Sequence, residues 1–309
     1  MTSLRVLFAG SPAAAVPSLR ALVSSKHELV SVVTREKSPH GRKRVLTATP
    51  IADVARELGL PVLEANRLPG APTELITSLE PDLGVIVAYG GLIREPLLSV
   101  PKLGWINLHF SLLPRWRGAA PVQRAIMAGD DVTGACVFQL VEELDAGPVF
   151  GTLTQSIGGN ETAGHLLDSL AVSGAQLLVR VVDMIAEGTA RAEEQVGEVT
   201  RAPKLTIEDG QINWALTAEL VDQNIRGVTP EPGAFTRVED SRVKILQAHV
   251  ARDVVRRPAG RIDCEAGRVL VGTASVPIEL TRVQPAGKNP MNAADWWRGR
   301  QFDGEVRAQ

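Results

Sequence analysis

The chain has 309 residues, of which 44% are hydrophobic and 22% charged, and its formal net charge is −2. This composition excludes long disordered stretches, and the near-neutral charge does not indicate a strongly basic nucleic-acid-binding protein. Because single cores stop growing at roughly 250–300 residues, we expect two domains. We expect no transmembrane helix and no signal peptide, since no run of about 18 apolar residues occurs and the first residues are typical of a core strand.

The first half of the chain alternates apolar runs with amphipathic stretches. Residues 4–9 predict a strand, 15–24 a helix and 29–33 a second strand, which together make one βαβ unit and favour a parallel sheet. Further helices are predicted at 51–58, 123–128 and 162–186, and further strands at 83–88, 105–110 and 135–141. The first strand ends in Gly10-Ser11-Pro12 without the Gly-x-Gly-x-x-Gly fingerprint, which argues against NAD or FAD.

The composition changes near residue 187. Residues 187–204 are polar and predict a connector, and the short β-branched runs beyond them, punctuated by Gly and Pro, predict a small all-β module. These runs are 243–246, 268–271 and 276–280. The fold class is therefore α/β: a Rossmann-like parallel-sheet domain at 1–188, a linker at 189–208 and a small all-β, OB-like barrel domain at 209–309.

The two cysteines, Cys136 and Cys264, are far apart in the sequence and lie in apolar or strand-like surroundings. We interpret them as two buried free thiols of a protein in a reducing cytoplasm. No Cys/His cluster has metal-ligand spacing and no His-Glu-x-x-His motif occurs, so we expect no metal ion.

The most informative stretch is the strand at 105–110 and the residues that follow it. Since side chains on a strand alternate between faces, Asn107, His109 and Ser111 point one way. Both faces of a parallel strand are normally apolar, so three polar groups on one face indicate that the strand end opens into a crevice. A satisfied polar edge of the strand is the alternative interpretation.

Two other stretches could contribute polar groups. Residues 142–148 place Asp145 before Gly-Pro in a sharp loop after a strand, where a carboxylate can also serve only to form the turn. Residues 114–121 supply two cations and an aromatic ring before a helix start, and a solvated loop would have the same composition.

Together these stretches resemble the 10-formyltetrahydrofolate-dependent formyltransferase family. The family motif Asn-x-His-x-Ser-Leu-Leu-Pro matches residues 107–114, Arg-Trp-Arg-Gly-Ala-Ala-Pro follows at 115–121, and Leu-Asp-x-Gly-Pro matches residues 144–148. Further segments look like the members that act on methionyl-tRNA: residues 8–12, 16–19, 212–214, 225–226 and 230–234. The resemblance therefore spans nearly the whole chain.

The resemblance implies a cytoplasmic enzyme of translation initiation that transfers the formyl group of 10-formyltetrahydrofolate to the α-amino group of initiator methionyl-tRNA. It implies that Asn107, His109 and Asp145 are the catalytic triad. An amine that attacks a formyl carbon gives a tetrahedral intermediate with a negative oxygen, which amide and imidazole N–H groups can stabilise. Asp145 could hold His109 in one tautomer or steer a water, and which of the two takes the amine proton stays open.

The resemblance also assigns the two binding sites. It implies that the folate site is lined by four consecutive residues: Ser111, Leu112, Leu113 and Pro114. Residues 35–44 hold five cations and one carboxylate, a net charge of +4, which by itself is typical of a solvated loop. In the members that act on methionyl-tRNA a basic loop here engages the acceptor stem, so Arg42, Lys43 and Arg44 are implied to bind tRNA. We also expect the barrel domain at 209–309 to bind tRNA, since small barrels of the oligonucleotide-binding type bind RNA through one face, although the sequence does not show which face. We expect a monomer.

Some positions depart from the family pattern. Ala13 and Ala14 stand where an acidic and an aromatic residue are expected, and Ile207 stands where a lysine is usual. These departures bear on amino-acid recognition and on the linker, not on the triad. Family members that formylate glycinamide ribonucleotide or an amino sugar nucleotide, or that hydrolyse 10-formyltetrahydrofolate, share the triad and remain alternatives. A non-catalytic nucleotide-binding module would leave the three polar residues without a common purpose.

Overall fold

The computed structural model describes residues 2–40, 44–300 and 304–309. The chain divides into two compact units. The first unit consists of residues 1–119, 132–156 and 167–202, and the second of residues 120–131, 157–166 and 203–309. The domain boundaries inferred from composition stay predictions.

The described residues form seven α-helices and eighteen strands. The helices are α1 (Val16–Val23), α2 (Pro50–Glu57), α3 (Ala71–Ser78), α4 (Pro121–Ala128), α5 (Ala163–Ala186), α6 (Ala218–Gly227) and α7 (Ala293–Arg298). The strands of the first unit are β1 (Arg5–Gly10), β2 (Glu28–Thr34), β3 (Ser38–His40), β4 (Val45–Thr47), β5 (Val62–Glu64), β6 (Leu83–Val87), β7 (Trp105–His109), β8 (Arg117–Gly118), β9 (Val132–Gln139), β10 (Val149–Ser156) and β11 (Arg201–Ala202). Those of the second unit are β12 (Phe235–Val238), β13 (Ser241–Val250), β14 (Arg261–Glu265), β15 (Arg268–Val271), β16 (Ile278–Pro285), β17 (Met291–Asn292) and β18 (Val306–Arg307).

The first unit is built on a seven-stranded sheet in the order β10-β9-β7-β6-β1-β2-β5. The five strands from β7 to β5 are parallel, as the alternation of apolar runs and helices predicts. The strand predicted at 135–141 is present as β9, but it runs antiparallel to β7, and β10 continues the sheet antiparallel to β9. The Rossmann-like prediction is confirmed, with two antiparallel strands added at one edge.

Close packing fixes β6 against β7 in the core of this sheet. Gly84 is paired with Trp105, and a Cβ at position 84 would lie 2.2 Å from the indole ring. The indole is 1% exposed, and its Nε1 donates a hydrogen bond of 3.0 Å to the carbonyl oxygen of Leu97. Only glycine at position 84 leaves room for the indole ring. The contact between Gly84 and Trp105 therefore fixes the position of β7, the strand that carries Asn107 and His109.

The predicted helix at 162–186 is present as α5, displaced by one residue at its start. Among the described residues it is the one helix with the length and mean hydropathy needed to cross a membrane, and 44% of that stretch is buried. Partial burial is also what a core helix of a globular protein shows. The expected absence of a transmembrane helix stays a prediction.

The second unit contains the antiparallel β module predicted from the short apolar runs. Its strands follow the order β12-β13-β16-β15-β14-β18, with β17 paired to β16. Val238 at the end of β12 is bridged to Ala308 beside β18, so the sheet closes on itself as a small barrel. Helices α6 and α7 add to the predicted strands, and Thr217 caps α6 by accepting a hydrogen bond from Leu220 N.

The two cysteines have different environments. Cys136 on β9 is buried, as predicted, and burial raises the pKa of its thiol to about 12. Cys264 on β14 is exposed, so the prediction of two buried thiols is wrong. It lies next to the hairpin turn at Ala266 and Gly267, both with positive φ, where solvent reaches the end of the strand.

Candidate active site

Strand β7 places Asn107 and His109 near its carboxyl end. Asn107 pairs with Ile86 of β6 and with Phe138 of β9, while His109 pairs with Cys136. Asn107 is half-buried, and no described residue is hydrogen-bonded to its buried Oδ1. A buried acceptor without a partner costs free energy unless a ligand supplies a donor. Oδ1 of Asn107 can therefore accept a hydrogen bond from a polar ligand at the carboxyl end of β7.

The imidazole of His109 has a defined tautomer. Its side chain is 6% exposed, and its Nε2 lies 3.0 Å from the carbonyl oxygen of Trp116. Because a carbonyl oxygen can only accept, Nε2 carries the proton and the neutral ring presents a lone pair at Nδ1. Nδ1 is 3.9 Å from Oδ2 of Asp145, which is too long for a hydrogen bond. The carbonyl of Trp116 fixes the tautomer, and the alternative in which Asp145 does so directly does not hold.

Burial decides the charge of His109. Desolvation lowers its pKa below the ordinary value of 6.5, while the negative charge of Asp145 and the bond to the Trp116 carbonyl act in the opposite direction. The net shift is downward, so the ring is neutral at neutral pH. A neutral imidazole with a free Nδ1 lone pair can accept a proton, and Asp145 lies close enough to stabilise the imidazolium that results.

Asp145 lies in the loop between β9 and β10. It has the positive φ of 50° that aspartate tolerates better than most residues, and it is 7% exposed. Its Oδ2 accepts a hydrogen bond of 2.8 Å from the backbone N–H of Gly118 on β8. The carboxylate therefore binds a distant segment instead of its own turn, contrary to the interpretation of Asp145 as only a turn former.

Residues 111–114 continue the chain beyond β7. Ser111 is buried, and its hydroxyl donates a hydrogen bond of 2.6 Å to the carbonyl oxygen of Arg115. Pro114, which follows a cis peptide bond, is buried, whereas Leu112 and Leu113 are half-buried. The serine hydroxyl holds the turn, and the two leucines are the apolar surface that this segment presents.

Family models match both parts of the chain. The family described as formyl transferase matches residues 4–182, and that described as formyl transferase, C-terminal domain, matches residues 204–301. The chain is 60% identical to the methionyl-tRNA formyltransferase of Clavibacter sepedonicus over 296 residues, which cover 96% of this chain and 97% of that protein. It is 55% identical to the methionyl-tRNA formyltransferase of Leifsonia xyli subsp. xyli, with the same two coverages.

The chain belongs to the methionyl-tRNA formyltransferase family. It is accordingly an enzyme, a formyltransferase. The fold is shared more widely: the N-formyltransferase from Helicobacter canadensis, solved with folinic acid and dTDP-3-aminofucose, has a TM-score of 0.68 at 15% identity. That alignment covers 90% of this chain and 98% of the other, and at this identity it shows the fold alone.

The basic segment implied to bind tRNA is described only in part. Arg42 and Lys43 lie outside the described residues. Arg44 is exposed, has a φ of 50°, and comes just before β4, which pairs with β3. Arg35 at the start of the segment has a structural use, because its Nε donates to Oδ1 of Asn66 and its Nη1 to the carbonyl oxygen of Gly90.

The sequence did not single out Gln195, one of the residues close to Asp145. Gln195 contacts the loop that carries this aspartate, and Arg117 contacts Gln195. Arg117 belongs to the 115–121 stretch, but Gln195 lies in a polar segment without periodicity, which gave no signal.

Within the described part of the chain no group of three or more His, Cys, Asp or Glu residues could hold a metal ion. The expectation that no metal is used stays a prediction.

Proposed function

We propose that this formyltransferase moves the formyl group of 10-formyltetrahydrofolate to the α-amino group of initiator methionyl-tRNA. Two relatives at 60% and 55% identity carry the name of that activity. The folinic acid in the Helicobacter canadensis structure supports a folate-derived donor. The observation that supports the proposal is the 3.9 Å distance between Nδ1 of His109 and Oδ2 of Asp145, with Asn107 two residues before His109 on β7.

Asn107, His109 and Asp145 each have a separate role in the proposed reaction. Bound 10-formyltetrahydrofolate supplies an activated formyl group. The amide N–H of Asn107 stabilises the negative oxygen that develops on attack, while its unpartnered Oδ1 can accept an N–H of a bound ligand. Neutral His109 receives at Nδ1 the proton that the attacking amine loses, and Asp145 stabilises the imidazolium. His109 can then return that proton to the leaving nitrogen, so that no net proton is consumed.

The binding assignments are part of the proposal. Ser111, Leu112, Leu113 and Pro114 line the folate site, where the half-buried leucines offer apolar contact to a flat heterocycle. Arg42, Lys43 and Arg44 hold the tRNA acceptor end. Since the three polar side chains supply the proton acceptor and the oxyanion donor, the reaction uses no metal ion on the enzyme, and treating the enzyme alone with EDTA before the assay should leave turnover unchanged. We also propose that the enzyme is a cytoplasmic monomer.

The test is formylation of charged initiator tRNA with 10-formyltetrahydrofolate as donor. We expect Asn107→Ala and His109→Ala each to lower kcat by roughly 10²–10³, the usual cost of losing an oxyanion donor or a proton acceptor. Circular dichroism of both purified variants checks that they remain folded, because His109 is buried and Asn107 is half-buried. Near-wild-type turnover in either variant would remove the mechanism.

Assays with small formyl acceptors distinguish the proposed activity from the other formyltransferase activities. Glycinamide ribonucleotide, an amino sugar nucleotide and water should each be poor acceptors beside charged tRNA. If one of them were formylated, or the donor hydrolysed, faster than methionyl-tRNA is formylated, the tRNA assignment would fail while the triad assignment stood.

A further inference from the structure

We propose that Gln195 is a positioning residue of the formyl transfer. Its carboxamide holds the loop that carries Asp145, and Arg117 holds the carboxamide. This role rests on the proposed function, because it matters for turnover only if Asp145 takes part in the chemistry.

Backbone pairing brings Gln195 to the loop. Glu193 and Val149 exchange two hydrogen bonds, Val149 N to Glu193 O at 2.7 Å and Glu193 N to Val149 O at 2.9 Å. The pairing is antiparallel, so the residue two positions after Glu193 lies opposite the residue two positions before Val149. Gln195 therefore lies opposite Gly147, and its position is set by a defined register.

The carboxamide of Gln195 binds two carbonyl groups of the loop. Its Nε2 donates to the carbonyl oxygen of Asp145 at 2.8 Å and to that of Gly147 at 2.9 Å. A primary amide has two N–H groups, so both bonds form at once. Asp145 lies in the loop between β9 and β10, outside the sheet ladder, and Gln195 supplies a donor for its carbonyl oxygen.

Arg117 fixes the orientation of this carboxamide. Its Nε and Nη2 donate to Oε1 of Gln195 at 3.1 and 2.7 Å, and its Nη1 donates to Oε1 of Glu143 at 3.0 Å. Arg117 is only 8% exposed. Because a guanidinium can only donate, Oε1 must face it and Nε2 must face the loop carbonyls.

These contacts close a ring through the catalytic carboxylate. Arg117 and Gly118 are adjacent on β8: the first binds Gln195, and the backbone N–H of the second binds Oδ2 of Asp145. Asp145 is thus held twice, by its carboxylate through Gly118 and by its carbonyl through Gln195. Without Gln195 the loop keeps only one of these attachments, and the carboxylate can move away from Nδ1 of His109.

Two substitutions remove the donors while keeping the size of the side chain. Gln195→Met is uncharged and has no N–H, and Gln195→Glu keeps an acceptor for Arg117 but turns a carboxylate toward two carbonyl oxygens. Since a misplacement of about 1 Å can cost 10²-fold in rate, we expect each variant to lower kcat by about 10- to 100-fold. The KM values for folate and charged tRNA should change by less than about threefold, because neither substrate is expected to contact Gln195.

A double-mutant cycle separates positioning from a general structural effect. In an Asp145→Asn background, Gln195→Met should lower kcat by less than about threefold, because the group it positions is already disabled. In the single variant the acid limb of the pH–kcat profile should move to lower pH, since a displaced Asp145 no longer raises the pKa of His109. Gln155→Ala is the matched control, because Gln155 is a half-buried glutamine bonded to Ser169 on the same unit and has no contact with the loop of Asp145 among its hydrogen bonds.

The outcomes are distinct. Wild-type kcat in both Gln195 variants, or a full additional loss in the Asp145→Asn background, would overturn the positioning role while leaving the proposed function intact. So would a loss of turnover that only follows the fraction of folded enzyme, measured by circular dichroism on the same samples. If the wild-type enzyme did not formylate methionyl-tRNA at all, the proposed function itself would fail.

Discussion

At the scale of single residues, the burial of His109 predicts how turnover depends on pH. Burial lowers its pKa below 6.5, so the neutral, proton-accepting form persists at pH values where an exposed histidine is already charged. The attacking α-amino group also titrates, with an ordinary pKa of about 7.7–8.0, so the limb that belongs to His109 is identified by comparison with Asp145→Asn. In single-turnover formylation assays across pH 5–8 we expect a limb below pH 6.5 that moves to lower pH in Asp145→Asn, because Asp145 raises the pKa of His109. A rate profile without such a limb would contradict the assignment of His109 as the proton acceptor.

The charge of Asp145 is the second residue-scale prediction. In Asp145→Asn the amide oxygen can still accept from the N–H of Gly118, and the tautomer of His109 stays fixed by Trp116, so the geometry is kept. Stabilisation of the imidazolium is lost, and we expect kcat to fall roughly 10²-fold, within the range of acid–base contributions. Steady-state kinetics with charged tRNA would measure this. A change confined to KM would make Asp145 a binding residue.

At the scale of elements, the pairing of β6 with β7 depends on one glycine. A Cβ at position 84 would lie 2.2 Å from the buried ring of Trp105, which cannot move without disturbing the sheet. We expect Gly84→Ala to lower the free energy of unfolding by about 1–3 kcal/mol, as overpacking usually does. Urea denaturation of the purified variant measures it.

Gly159→Ala is the control for this substitution. A Cβ at position 159 would meet no heavy atom within 4 Å, and the φ of Gly159 lies outside the left-handed region. Its free energy of unfolding should stay within about 0.5 kcal/mol of the wild-type value, as for most surface substitutions. Equal stability of the Gly84 and Gly159 variants would mean that the indole adapts and that this contact does not fix β7.

At the scale of the whole molecule, a net charge of −2 must be reconciled with a polyanionic substrate. The basic segment 35–44 is where the sequence concentrates positive charge. We expect neutralisation of Arg42, Lys43 and Arg44 to glutamine to reduce kcat/KM for charged tRNA far more than folate affinity. Each lost phosphate contact should also reduce the log–log salt slope by about 0.7–0.9.

A second triple variant controls for net charge. Replacing Arg20, Lys102 and Arg191 with glutamine removes the same three charges from elsewhere on the first unit, and the surface ion pairs of Arg20 and Lys102 contribute little stability. The measurement is kcat/KM at several salt concentrations, beside folate affinity by fluorescence. If both triple variants had the same salt slope, the basic segment would be a solvated loop, and the tRNA would be held elsewhere.

The sequence by itself determined many of the elements and predicted the reacting groups. Apolar periodicity predicted β1, β2, β6 and β7 and the long helix α5, because side-chain alternation is a local property that burial enforces residue by residue. The ordered polar motifs predicted Asn107, His109 and Asp145 together with the family, since the chemistry restricts which side chains can occupy those positions.

Only the tertiary structure decided the direction of strands and the partners of polar groups. In the folded chain β9 is antiparallel to β7, and β10 is antiparallel to β9. Cys264 is exposed to solvent, and the carbonyl oxygen of Trp116 fixes the tautomer of His109. The tertiary structure also brought Gln195 from an aperiodic polar segment to the loop of Asp145. A hydrogen bond between residues 50 positions apart depends on the path of the whole chain, and no local pattern records that path.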